Sequence, residues 1–327
     1  MRRRSATVLL LIGFILVSIH FAEAQQAPKI PRIAYLQAPP AAVVSARTDA
    51  FRQGLRDLGY IEGKNILIEW RYADGKIDRV PTLVTELVNL NVDVIVSGGS
   101  TVTRSAKEAT KTIPIIMAQE TDPVGSGFVA SLARPGGNVT GLATLAPELS
   151  GKQLELLKEI LPALLRVAVL GSSSTSANSK LLEETERAGR ALGVKIQHID
   201  ISHNGIESAF QTAIKARADG VLILTSPFGT SERKRIEALA VKNRLPAVYD
   251  RAEFVEDGGL MTYSVSSTDL FRRAAVYVDK ILKGSMAAEL PIEQPQKFEL
   301  VINLKTAKQI GLTIPPNVLA RADKVIR

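Results

Sequence analysis

The chain of 327 residues contains no cysteine. Disulfide bonds, thiolate metal sites and a cysteine nucleophile are therefore excluded, and the fold must rest on its apolar residues, 46% of the chain. Histidine is scarce as well: beyond residue 24 there are His198 and His203, and neither has a partner at a spacing typical of metal ligands. The chain lacks a P-loop, a Gly-x-Ser-x-Gly elbow and a Gly-x-Gly-x-x-Gly turn. These absences favour a protein without catalytic groups, metal or cofactor.

The first 24 residues have the three parts of a secretory signal peptide. Three arginines follow the initial Met, residues 8–19 are almost entirely apolar, and AEA at 22–24 suits cleavage after Ala24. The apolar run is short for a membrane span, which needs about 20 residues. Without a cysteine near the cleavage site, lipid anchoring is excluded. We expect a soluble, monomeric protein in the periplasm, with no membrane anchor.

The formal net charge is +8, and it falls to about +6 without the first 24 residues. Nucleic-acid binding is an obvious explanation for a basic chain. However, the basic residues are scattered along amphipathic segments instead of forming a cluster, and nucleic acid is absent from the predicted compartment. We therefore expect no nucleic-acid partner.

Short apolar runs alternate with amphipathic segments from residue 31 onward, which predicts βα units. Predicted strands at 32–37, 65–72, 92–97 and 113–118 are separated by helices at 45–58, 79–90 and 101–110. A second set at 166–249 follows the same order of elements, although its sequence identity to the first is low. The pattern predicts an α/β protein with two doubly wound parallel-sheet lobes.

The two predicted halves meet at residues 113–142, IPIIMAQETDPVGSGFVASLARPGGNVTGL. An apolar strand ends here in polar residues, where a parallel sheet opens to its ligand crevice. We predict a short helix at 128–133, stopped by RPGGN at 134–138, and extended chain at 139–142. Residues after 263 belong to neither repeat, which indicates that the chain crosses between the lobes several times and forms a multi-strand hinge.

Several motifs resemble the substrate-binding proteins of ABC importers, whose best-understood members take up tryptophan, tyrosine or phenylalanine. The motifs are DPVG (122–125), RPGGNVTG (134–141), LELLKE (154–159), RVAVL (166–170), GGLMTY (258–263), RRAAVYVDKILKG (272–284) and LPIEQP (290–295). The resemblance covers essentially the whole chain after the leader. It implies a type I periplasmic-binding fold that closes on a small, amino-acid-like ligand, with an inner-membrane ABC permease as partner.

Two lobes are expected on this basis, one formed by 30–143 plus 264–288 and the other by 144–263 plus 289–327. A periplasmic sensor that presents its closed form to a membrane receptor is an alternative that the sequence does not separate from a carrier. A cytoplasmic repressor would need a DNA-reading helix-turn-helix and no export signal, and both conditions fail.

Ligand-contact candidates in the first lobe follow predicted strands. Ser97, Gly99, Ser100 and Thr101 lie where a strand meets a helix, so that amides and hydroxyls are available for a carboxylate, although a Gly-rich turn with an ordinary cap has the same sequence. Thr121 and Asp122 follow the next strand; Asp122 is a candidate partner for a ligand ammonium, or it stabilises the turn before a proline. Gln37, after the first strand, is a weaker candidate.

The second lobe has equivalent loops. Ser172 and Ser173 correspond in position to Gln37, and Phe228, Tyr249 and Asp250 end later strands. The aromatic rings suit stacking on an aromatic or apolar ligand, and equally suit packing within the lobe. Tyr263 lies where the chain recrosses, so that hinge and ligand roles are both open.

Overall fold

The computed structural model describes residues 29–144, 146–172, 176–224, 227–295 and 297–327. The predicted signal peptide and Ser173 lie outside these ranges. In the part of the chain that is described, no helix has the length and apolar character of a membrane span.

The first lobe is built on a five-stranded parallel sheet with the order β2-β1-β3-β4-β5. Its strands are β1 (Arg32–Gln37), β2 (Leu67–Tyr72), β3 (Val94–Ser97), β4 (Ile115–Glu120) and β5 (Val139–Ala143). Every residue of β3 is buried, because helices cover both faces of the sheet. The continuous apolar run predicted from the sequence is therefore a central strand between two hydrophobic clusters.

The second lobe is built on a seven-stranded sheet with the order β12-β11-β10-β9-β8-β6-β7. Its strands are β6 (Arg166–Leu170), β7 (Lys195–Ile199), β8 (Gly220–Ile223), β9 (Ala247–Tyr249), β10 (Met261–Ser264), β11 (Glu299–Asn303) and β12 (Lys324–Ile326). Strands β10 and β11 pair antiparallel, whereas the other pairs are parallel. The fold class predicted from the sequence, two sheet-and-helix lobes, is confirmed.

Helices connect the strands and cover the two sheets. In chain order they are α1 (Ser45–Asp57), α2 (Val80–Asn89), α3 (Ser100–Ala109), α4 (Ala146–Ile160), α5 (Ser176–Leu192), α6 (Ile201–Lys215), α7 (Pro227–Ser231), α8 (Arg233–Lys242), α9 (Ala252–Asp257), α10 (Ser267–Leu282), α11 (Leu304–Gln309) and α12 (Pro316–Leu319). A kink at Gly205, with φ of 72°, interrupts α6.

Helix α10 returns from the second sheet and packs on α1 of the first lobe. The two helices approach closely at Gly54, where a Cβ would lie 2.3 Å from the carbonyl oxygen of Arg272. Ile292 still belongs to the hydrophobic core of the first lobe, and Glu293 forms a parallel β-bridge with Leu142 of β5. The chain therefore stays with the first lobe for several residues beyond the predicted boundary at 288, before β11 joins the second sheet.

The helix predicted at 128–133 does not form, and the segment is irregular. Gly127 has φ of 70° on one side, and Pro135 follows on the other. Between these breakers Phe128 and Val129 are buried in the first lobe's core. The two breakers and the burial of these two side chains between them account for the irregular conformation.

Candidate functional site

A cavity of about 110 Å³ lies between the lobes. It has room for on the order of eight water molecules, at roughly 10–15 Å³ each by this measure. Both sheets direct the loops after their strands toward it, including the loops that follow β1, β3, β8 and β9. The cavity therefore lies at the carboxyl ends of parallel strands, the position predicted from the sequence.

The first lobe contributes the beginning of α3 to the cavity wall. Gly99 has φ of 116° and is the N-terminal flanking residue of the helix, and no side chain caps the helix there. The ordinary Ser/Thr cap considered from the sequence is therefore absent. The cavity is also lined by Gly98, Ser100 and Thr101. The N-terminus of α3 therefore faces the ligand space, and its free backbone amides favour anionic groups.

The buried carboxyl group of Glu120 is hydrogen-bonded to the first residue of this helix. Ser100 Oγ donates to Glu120 Oε1 over 2.6 Å, and the amide of Thr121 donates to the same oxygen over 3.0 Å. Burial raises the pKa of Glu120 to about 7, although these hydrogen bonds act in the opposite direction. Among the described residues, Glu120 Oε2 has no partner.

Two ion pairs involve charged residues of the cavity wall. Asp250 and Arg251 both line it, and Arg251 Nε donates to Asp250 Oδ2 over 2.8 Å. Arg47, from α1 of the first lobe, donates through Nε to Glu253 Oε1 of the second lobe over 2.7 Å. Burial would raise the pKa of Glu253, but Arg47 and then Arg251 outweigh it and lower that pKa to about 2. Two positive and two negative charges meet here, so the cluster is neutral.

Many other lining residues are apolar. Their side chains are aliphatic, and no described lining residue is aromatic. The larger ones are Val102, Leu149, Leu181, Leu222, Ile223, Leu224 and Val265. The cavity thus combines charged and apolar lining residues, a combination that suits a small molecule with both polar groups and hydrocarbon.

Five of the predicted contact residues line the cavity: Gly99, Ser100, Thr101, Thr121 and Asp250. Ser97 does not, because it is fully buried and its Oγ lies 2.7 Å from the Thr103 hydroxyl inside the lobe. Gln37 is also fully buried, and its amide lies directly behind Gly98, where a Cβ would be 2.0 Å from Gln37 Oε1.

Asp122 lies outside the lining. Its Oδ1 accepts from the Gly125 amide over 3.0 Å, which is the turn-stabilising role considered as the alternative. Its Oδ2 lies 4.0 Å from Lys180 Nζ of the second lobe. Ser172 also lies outside it, but its carbonyl accepts from Asn178 Nδ2 over 2.7 Å, and Asn178 lines the cavity.

The aromatic candidates pack elsewhere. Tyr249 is 1% exposed and stacks on Phe254 with ring centroids 4.9 Å apart, inside the second lobe. Tyr263 packs against Phe298, and its carbonyl accepts from the cavity-lining Gln153. The side chain of Phe228 lies outside the described part of the chain, so its predicted contact stays a prediction.

Sequence reasoning missed Arg47 and Gln153 as cavity residues, whereas Gln119 and Arg251 lie in segments that it placed at the crevice without naming them as ligand contacts. Arg47 lies in the first turn of a polar helix, where it resembles the solvated arginines that follow it. Its position just after β1 was the available signal, because helices that follow strands begin at the crevice edge.

Comparison with known proteins gives a consistent result. A family model described as ABC transporter substrate binding protein matches residues 40–326. A tyrosine-binding protein of Clostridioides difficile (strain R20291) is 26% identical over 263 residues, 80% of this chain and 75% of the relative. A Streptococcus pneumoniae ABC domain in complex with L-Trp is 28% identical, with a TM-score of 0.84 over 90% of this chain and 99% of the other. A conserved domain protein of Vibrio cholerae is 29% identical, with a TM-score of 0.85 over 91% and 100%.

Proposed function

This chain belongs to the ABC transporter substrate-binding protein family, and from that premise we propose that it is the extracytoplasmic solute-binding component of an ABC importer. It captures a small amino-acid-like solute between its lobes and delivers it to an inner-membrane permease. The leader-like first 24 residues support a periplasmic location for the processed protein.

The observation that carries this proposal is a lined cavity closed by contacts between the lobes. Arg47 reaches Glu253 across the cleft, and Arg233 Nη1 of the second lobe donates to the Val43 carbonyl of the first over 2.8 Å. A ligand held between two lobes that touch in this way favours the closed state over the open one. A permease that recognises the closed form then distinguishes loaded from empty protein.

The chemistry of the cavity supports an amino acid as the ligand class. The uncapped end of α3 suits a carboxylate, and Asp250 suits an ammonium group. The aliphatic lining residues suit an apolar side chain, aliphatic or aromatic. The relatives described as binding tyrosine and L-Trp support the same class.

A thermal-shift panel tests the proposal. It contains L-tryptophan, L-tyrosine, L-phenylalanine and L-leucine, with glucose and myo-inositol as non-amino-acid controls. A ligand at 100 times its dissociation constant adds about 2.7 kcal/mol to the free energy of unfolding, which raises the melting temperature measurably. Stabilisation by a sugar or cyclitol alone would reject the amino-acid class.

Small-angle scattering with the best ligand tests the closing movement separately. We expect the radius of gyration of the solution ensemble to decrease when that ligand is added. An unchanged radius at saturation would argue against a ligand-driven shift from open to closed lobes.

A further inference from the structure

The guanidinium of Arg47 has a buried nitrogen, Nη2, that makes no hydrogen bond within the described part of the protein. Arg47 is 3% exposed and lines the cavity, and its Nε is committed to Glu253. A buried N–H of a charged group without an acceptor is unfavourable. A ligand oxygen in the cavity is the natural acceptor.

The charges around Arg47 restrict what that ligand oxygen belongs to. Arg47 pairs with Glu253, and Arg251 pairs with Asp250, so the cluster carries no net charge. A ligand with a carboxylate and an ammonium keeps it neutral. A ligand with two charges of one sign leaves an uncompensated buried charge, which is strongly unfavourable.

We propose, on the basis of the proposed function, that Arg47 binds the ligand carboxylate through Nη2 while its Nε donates to Glu253. One guanidinium then joins the ligand to both lobes. Arginine suits this double role because its planar fork presents several N–H groups in fixed directions. Ligand affinity and lobe closure are then coupled through a single side chain. The coupling is reciprocal: the factor by which the bound ligand favours the Arg47–Glu253 contact equals the factor by which that contact strengthens ligand binding.

The experiment uses pairs of probes that differ in the carboxylate alone. These are L-tryptophan with tryptamine, and L-leucine with 3-methylbutylamine. Dissociation constants are measured by calorimetry for the wild type, Arg47→Met, Glu253→Gln and Arg56→Met. Arg56 is exposed on the same helix, α1, so Arg56→Met is the matched control.

The informative quantity is the ratio of the amine's dissociation constant to that of its amino acid. We expect Arg47→Met to lower this ratio by about 10- to 100-fold, the range for a charge-assisted hydrogen bond. Glu253→Gln should weaken both members of a pair because it affects closure, and it should not lower the ratio, because the positive cluster that remains disfavours the cationic amine more than the amino acid. Arg56→Met should change neither constant. Should Arg47→Met fail to fold, Arg47→Lys, which keeps the charge but not the fork, should lower the ratio in the same direction by a smaller factor.

Two negative results are distinguishable. If the wild type binds an amino acid and the Arg47 variants leave the ratio unchanged, the carboxylate role is overturned and the solute-binding function stands. If the wild type binds no probe that carries a carboxylate, the amino-acid function fails, and the role of Arg47 fails with it.

Discussion

Ser100 Oγ donates a 2.6 Å hydrogen bond to Glu120 Oε1, so a hydroxyl at the cavity wall is oriented by a carboxyl group that is 1% exposed. The same contact places an ionisable group in the core of the first lobe, directly behind the ligand space.

Glu120→Gln should stabilise the protein at pH 8. Burial raises the pKa of Glu120 from 4.5 to about 7, so the charged form is less favourable in the folded state than in the unfolded state. That cost is absent below pH 4.5, grows as the pH rises to about 7, and is complete above it. We expect a gain on the order of 1–3 kcal/mol at pH 8 that disappears below pH 4.5, measured by chemical denaturation. Glu108→Gln, on the exposed face of α3, is the control; a gain that does not change with pH would contradict the explanation.

Asp250→Asn should weaken the binding of L-tryptophan more than the binding of indole-3-propionate, which lacks the ammonium group. Asp250 lines the cavity, and a charge-assisted contact is stronger than a neutral one. We expect a selective loss of about 1.5–3 kcal/mol in binding free energy, measured by calorimetry. The variant also loses some stability, because Arg251 keeps a buried charge without its carboxylate. Equal losses for the two ligands would remove Asp250 from ammonium recognition, and Asp78→Asn, at an exposed position, should change neither affinity.

Glu253→Gln should open the ligand-free protein, because Glu253 pairs with Arg47 of the other lobe. The pKa of Glu253 is lowered from 4.5 to about 2, so its contribution to closure is full above pH 4.5 and is lost as the pH falls toward 2. We expect the wild type to expand across that interval in small-angle scattering, while the variant shows no such step. Glu256→Gln, whose partner Lys324 lies in the same lobe, is the control; expansion of this variant equal to that of Glu253→Gln would contradict a role specific to the cleft.

Gly141→Ala should destabilise the first lobe by at least about 2 kcal/mol. Gly141 has φ of 132° in β5, and a Cβ there would lie 2.2 Å from the carbonyl oxygen of Met117 on the neighbouring strand. Gly137→Ala is the matched control, since nothing lies within 4 Å of its Cβ position, and its effect should stay within about 0.5 kcal/mol. Similar melting temperatures for the two variants would show that the close approach is relaxed at little cost.

The central strands, such as β3, were predictable because they lie buried between two layers of helices and are largely apolar, whereas β2, β7 and β12 are only partly buried. The bounds predicted for the first strand, 32–37, are those of β1, Arg32–Gln37. The loops were predictable in position but not in the direction of their side chains. Ser97 and Ser100 are three residues apart, yet the first points into the core and the second lines the cavity. One turn of backbone at Gly99 makes that difference.

Two outcomes have the same origin. Phe128 and Val129 did not form the predicted helix, and Tyr249 takes the lobe-packing alternative that the sequence left open, because each is buried in its own lobe. An apolar or aromatic side chain after a strand can pack within its own lobe or face the ligand space. The nearest well-packed site determines which of the two occurs. Arg47 was missed for the converse reason: its partner, Glu253, is 206 residues away in sequence.

The sequence by itself determined the alternation of buried strands and amphipathic helices, the duplicated order of elements and the absence of thiol chemistry. These are properties of composition and of short-range periodicity, which each segment carries alone. The tertiary structure decided which charges meet in the cleft, which hydroxyl faces the ligand and which arginine spans the lobes. Those relationships depend on how two separately folded sheets approach each other, and the free energy of that approach resides in contacts between residues far apart in the chain.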